Sequence, residues 1–207
     1  MLPHPSDPFF RTFHALRIKG FAKAETVAEV ADLPLQLVDE HLSALEQREW
    51  AKFREARELW QLTPVGREEH HIALAEDSGG LHLAAELADA YAQFLGLNET
   101  FKNLCGEWQL RDGKPNDHAD SEYDRAVVNQ LVALNRDVAP IVARMGAVLA
   151  RLAPYEPRLA RTCQRVVDGE TNMFTGVMCG SYHDVWMELH EDLILTQGID
   201  RAAEGSF

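Results

Sequence analysis

Ala28-Glu29-Val30-Ala31-Asp32-Leu33-Pro34-Leu35-Gln36-Leu37-Val38 is the stretch on which the fold of this chain turns. Val27, Val30 and Ala31 share the inner face of a short helix. Pro34 opens another at a position where a missing backbone N–H has no penalty. In that next helix Val38, Leu42 and Leu45 stand at i, i+4 and i+7, one apolar stripe that faces inward. Asp32 lies between the two, at a turn that calls for positive φ; Asp is one of the few residues besides Gly that tolerates it.

A small residue at Ala28, a turn four residues on and a β-branched residue six beyond that resemble the helix-turn-helix pattern. Upstream, Phe9, Phe10, Phe13, Leu16 and Arg17 recur at helical spacing and Gly20 ends the helix. Downstream, Leu59 or Trp60 and Leu62 alternate after a charged turn, as in a two-stranded hairpin. Thr63-Pro64 then reads as an N-cap and first helical residue. The ending Leu62-Thr63-Pro64-Val65-Gly66-Arg67 after a basic hairpin is similar to the winged-helix domains of MarR-like regulators, over residues 9–72. The whole chain resembles two-domain MarR-like regulators of high-GC actinobacteria, whose helical region carries a stretch like Trp186-Met187-Glu188-Leu189-His190-Glu191-Asp192. That resemblance implies a homodimer that binds palindromic double-stranded DNA and answers to a small-molecule effector. The segment also resembles an accessory region found with some pyruvate phosphate dikinase-like proteins, which implies a protein-interaction role without DNA.

The expected fold is therefore mainly α: a winged helix-turn-helix with a small β-wing over residues 1–76, then an α-helical bundle for ligand binding and dimerisation over 81–207. With Val38, Leu42 and Leu45 inward, Gln36, Ser43 and Gln47 point outward as candidate base-edge contacts, and Lys52, Arg54 and Arg57 in the wing as candidate phosphate contacts. Arg11, Arg17 and Lys19 are further candidates for phosphate. Asp39 and Glu40 share the outward face and oppose DNA.

Asp77-Ser78-Gly79-Gly80 reads as a linker. After it a helix is expected from Leu81 to Leu97, a second capped by Asn98 and carrying Phe101, Leu104 and Trp108, and a polar loop from Asp112 to His118. A long helix then runs to about Leu152, kinked or divided by Pro140. One more helix spans about Pro157–Asp168, and a last one starts at Ser181 and ends before Gly198 with Tyr182, Val185, Trp186, Leu189 and Leu193 inward. Glu188, Glu191 and Asp192 read as solvated. Trp108, His118, Tyr123, Trp186 and His190 form the candidate ligand set, with His118 and His190 as polar anchors.

A metal is not expected: His183 and His190 are seven residues apart, roughly 10 Å along a helix, too far to share one ion. No cofactor is expected, and the absence of GxSxG, P-loop, GxGxxG and HExxH patterns argues against an enzyme. Three scattered cysteines, no secretory start and no long apolar run point to the cytoplasm, with no membrane partner. The net charge of −13 is uneven. Residues 1–75 hold nine Lys/Arg and twelve Asp/Glu of the chain's 20 and 33, which leaves 11 and 21 for the remainder.

Overall fold

A computed structural model describes residues 2–77 and 81–199, with side chains from residue 85 onward in the second stretch. Asp7 starts the first helix, α1 (Pro8–Lys19), by accepting from the N–H groups of Phe9 and Phe10, and Gly20 at φ 70° ends it. A two-residue strand β1 (Phe21–Ala22) leads into α2 (Ala24–Ala31) and α3 (Leu35–Gln47). Asp32 adopts the left-handed conformation between them (φ 51°, ψ 52°), and Val38, Leu42 and Leu45 are fully buried. Strands β2 (Ala51–Arg54) and β3 (Leu59–Leu62) pair antiparallel around a 3-10 turn at Glu55–Arg57. The sheet has one more strand than the hairpin alone, because β1 pairs with β3 on the other side, giving the order β1-β3-β2.

Helix α4 (Pro64–Asp77) begins at Thr63, whose hydroxyl accepts from the Gly66 N–H and donates to the Glu49 carbonyl. Gly66 is obligatory there, since a Cβ would run into the Trp50 carbonyl. Asp77, expected in a linker, is instead the last residue of α4, and its carboxylate is buried (6% exposed). Ser78–Gly80 lie outside the described residues, as does the stretch 200–207.

Among the described residues the rest is helical save one short hairpin. Helix α5 runs unbroken from Leu81 to Gln109, so the expected break at Asn98 is absent. Asn98 does not cap a helix; it is buried within one, and its side-chain oxygen accepts from Trp186 Nε1 at 2.8 Å. The expected polar loop contains a second hairpin, β4 (Leu110–Arg111) and β5 (Lys114–Pro115), turned by Asp112 and Gly113, both at positive φ. Helix α6 (Ser121–Val148) is capped by Asp120 and continues through Pro140 without dividing. It stops short of Leu152, where a 3-10 turn (Ala150–Leu152) precedes α7 (Tyr155–Val167), α8 (Asn172–Thr175) and α9 (Tyr182–Gln197). Ser181 caps α9 and Gly198 ends it.

The structure is thus mainly α with a small three-stranded antiparallel sheet. Buried apolar side chains fall into two clusters, one within residues 13–62 and one within 87–194. The larger centres on Trp186, which packs on Phe94 and Phe101. Asn98→Ala is expected to lower the unfolding free energy by about 1–3 kcal/mol, since it leaves the buried indole N–H without an acceptor. A denaturant midpoint equal to that of the parent chain would refute this. Among the described residues no helix is long and apolar enough to cross a membrane.

Candidate functional site

Two regions concentrate polar chemistry: the outward face of α3 with the β2–β3 hairpin, and the junction between the two apolar clusters.

On the first, Gln36, Ser43 and Gln47 are exposed, opposite the inward stripe of α3, and Lys52, Arg54 and Arg57 are exposed on the hairpin. Several are already engaged locally. Gln36 donates to Glu40 (3.4 Å), the Ser43 hydroxyl donates to the Asp39 carbonyl (2.9 Å), and Arg54 donates to the Gln61 amide oxygen (2.6 and 3.1 Å) once that amide is oriented to accept. Between α3 and the hairpin lies a cleft of about 520 Å³ walled by the carboxylates of Glu25, Asp39, Glu46 and Glu58. Phe53 and Trp60, in contact with each other at 5.1 Å between centroids, form its apolar part. Lys23 is the one cation among its described lining residues, 3.7 Å from Glu58. Arg48, at the end of α3, is folded back over the rings of Phe9 and Trp50 (4.8 and 5.0 Å).

Arg11, Arg17 and Lys19 all have partners within the chain. Arg11 caps the end of α2, donating to the carbonyls of Ala31 and Asp32. Arg17 and Lys19 reach across to α9, to Glu191 (3.1 Å) and Glu188 (2.5 Å).

That crossing belongs to the second region. Arg151 is 7% exposed and sits at its centre. Its guanidinium donates to Asp192 and to Thr196 (2.6 Å), with Asp77 at 3.5 Å from Nε. Asp192, only 2% exposed, also accepts from Tyr155 (3.2 Å) and lies 3.0 Å from His14 Nε2. His14 Nδ1 is 2.9 Å from His70 Nε2, with the two rings stacked. In one tautomer His14 donates to Asp192 and accepts from His70; in the other it accepts from Arg151 (3.2 Å) and donates to His70. A second knot joins Lys19 and Arg158 to the single carboxylate of Glu188, and Arg161 to Glu29. Glu188 and Asp192, expected to be solvated, are buried because α1 and α7 bring cations onto the first and the 3-10 turn brings Arg151 onto the second.

Burial lowers the pKa of both histidines, with the positive charge of Arg151 adding to it; His70 falls to about 2. Burial alone would raise the Asp192 carboxyl, but Arg151 and His14 outweigh it and hold it below the usual range.

No protein-family model, curated protein or solved structure matches this chain.

The candidate ligand set is not one site. Trp108, His118 and Tyr123 cluster at the β4–β5 hairpin, where His118 packs on Trp108 (4.5 Å) and pairs with Asp124 (2.9 Å), and Tyr123 donates to the Glu107 carbonyl. His190 lies in the larger core against Phe94, which precedes Trp108 by fourteen residues, roughly 21 Å along α5, and Trp186 lies between Phe94 and Phe101, the latter about 10 Å from Trp108 along the same helix. His190 is buried beside Tyr91 and does not converge with His118. The unbroken α5 holds the two groups apart. Among the described residues no group of three or more His, Cys, Asp or Glu is placed to hold a metal.

Sequence reading missed the junction. Its one signal was His14, a polar residue set among Phe10, Phe13 and Leu16 on a buried face. Nothing local names its partners His70, Arg151 and Asp192, the nearest of them in sequence 56 residues away.

Proposed function

We propose that residues 8–77 are a winged helix-turn-helix, that the helices after them form a bundle, and that the outward α3 face docks a basic segment of a partner protein in a non-catalytic, regulatory role. One observation carries this: the face and the cleft beside it present Glu25, Asp39, Glu40, Glu46 and Glu58 against Lys23. Duplex DNA carries one negative charge per about 1.7 Å of its axis and is bound by displacing cations with Lys and Arg, so such a face repels it. A lysine- or arginine-bearing segment gains from the same carboxylates, and from the rings of Phe53 and Trp60.

A second reading, a MarR-like homodimer bound to double-stranded DNA, draws on the exposed hairpin cations Lys52, Arg54 and Arg57. A cytoplasmic setting suits either.

Fluorescence anisotropy separates the two. A Lys/Arg-rich peptide is expected to bind, and Asp39→Lys with Glu46→Lys to weaken it by about tenfold or more. The same charge change at Glu122 and Asp137, exposed on α6, is expected to leave it nearly unaltered. Duplex DNA from upstream of the gene is expected not to bind at low or moderate salt. Salt-sensitive DNA binding that Arg54→Ala and Arg57→Ala weaken, with a reduced salt slope, would replace this reading by the second one.

A further inference from the structure

The wall between the two apolar clusters opens on one side into a cleft of about 660 Å³, within the range of small-molecule sites. It takes no residue from α3, and Lys23 is the one described residue it shares with the acidic cleft beside that helix.

Three of its charged lining residues are largely buried. Lys19, Arg158 and Glu188 are 15%, 7% and 6% exposed at their side chains, and the one carboxylate serves both cations. Glu188 takes Lys19 on one oxygen and the terminal Nη2 of Arg158 on the other, at 2.5 and 2.6 Å. Arg158 Nε is left buried with no hydrogen-bond acceptor among the described residues; Glu29 Oε1 stands 4.0 Å off and is taken by Arg161 at 2.6 Å. An unpartnered guanidinium N–H in a buried position is costly, and a bound anion removes that cost.

The opposite side is apolar and open. Phe21 and Met178 are 47% and 74% exposed, and Met187 lines the same cleft. Large apolar side chains so exposed around one cleft mark a surface awaiting a cover.

We propose that this cleft binds an amphipathic organic anion, an apolar tail with a carboxylate head. The head sits beside Lys19 and accepts from Arg158 Nε once that buried side chain turns toward the cleft; the tail covers Met187, Phe21 and Met178. Because Lys19 and Phe21 come from the first unit and Arg158, Met178 and Met187 from the helices after it, the ligand bridges the two. Three further lining carboxylates oppose the head: Asp184 and Glu191 are engaged, by the N–H groups of residues 178–180 and by Arg17, and Glu29 is 52% exposed.

Titration calorimetry on the full chain tests it with decanoate as the probe, acetate as the head without the tail, and decyltrimethylammonium as a tail with the opposite charge. Decanoate is expected to bind saturably, and the other two at least about tenfold more weakly. Glu29→Gln is expected to tighten decanoate by about threefold, and Met178→Glu to weaken it by about fivefold. Both positions are exposed, so folding, checked by circular dichroism, should be retained. The absence of saturable decanoate binding, equal binding of the cation, or affinities unmoved by both substitutions would overturn the proposal. Binding only to vesicles of anionic lipid, and not to free decanoate, would also overturn it.

Discussion

Replacing Arg151 by methionine is expected to lower the unfolding free energy by about 3–5 kcal/mol. The reason is asymmetry. Taking two opposite charges out of water together is close to neutral; removing one of them strands the other. Arg151 faces two carboxylates at once, Asp192 and Asp77, whose side chains are 3% and 6% exposed. Without the guanidinium both lose their cation, and His14 is a weak substitute because its burial keeps it neutral. Asp192→Asn in the same background should restore part of the loss, because it removes one of the stranded charges. Urea denaturation of the two single variants and the double variant forms the cycle that measures this. A loss below about 1 kcal/mol for Arg151→Met would mean that water reaches the network and the junction is not closed.

Acid should loosen the fold well before the carboxylates in general titrate. His70 binds a proton in the folded protein only near pH 2, whereas an unfolded histidine does so at 6.5. The unfolded chain therefore holds more protons throughout that interval, and stability falls as pH falls. At about 1.4 kcal/mol per pH unit, His70 alone removes about 2 kcal/mol between pH 7 and 5. His14 is shifted in the same direction and adds to it. Asp192 works with the same sign in a lower window: its folded pKa is depressed, so the stability it gives is present above about 3.8 and is lost below. His70→Gln should flatten the upper part of the profile. Denaturant midpoints measured from pH 7 to pH 5 check this, and an unchanged slope in the variant would rule out His70 as the source.

Much of the structure of residues 8–77 was legible from local pattern. The spacing of Val38, Leu42 and Leu45 fixed which side of α3 is buried, and with it the exposure of Gln36, Ser43 and Gln47. Asp32 was identified as the left-handed residue of a turn because so few side chains accept that conformation. Thr63 and Gly20 announced a start and a stop. These signals are all short in sequence, and the physics behind each is contained within one or two helical turns.

What was not legible was relational. Arg17 and Glu191 are separated by 174 residues and Lys19 and Glu188 by 169. Periodicity shows that Glu188 and Asp192 flank the apolar stripe of α9, but a solvated carboxylate and a buried one look alike until the partner surface is known. Asn98 misled for a related reason. A residue that favours helix starts through its side-chain acceptor can use the same acceptor for a tryptophan across the core. Once Asn98 failed to break α5, His118 and His190 were held at different levels of one rod and the expected ligand site could not assemble.

Helix α4 has two fixed ends. At Gly66 it rests directly on the Trp50 carbonyl, and at Asp77, eleven residues or about 16 Å further on, it meets Arg151 of the 3-10 turn after α6. His70, between them, is stacked on His14 of α1. One helix thus serves as the shared support of two surfaces, the exposed α3–hairpin face and the ionic joint behind it.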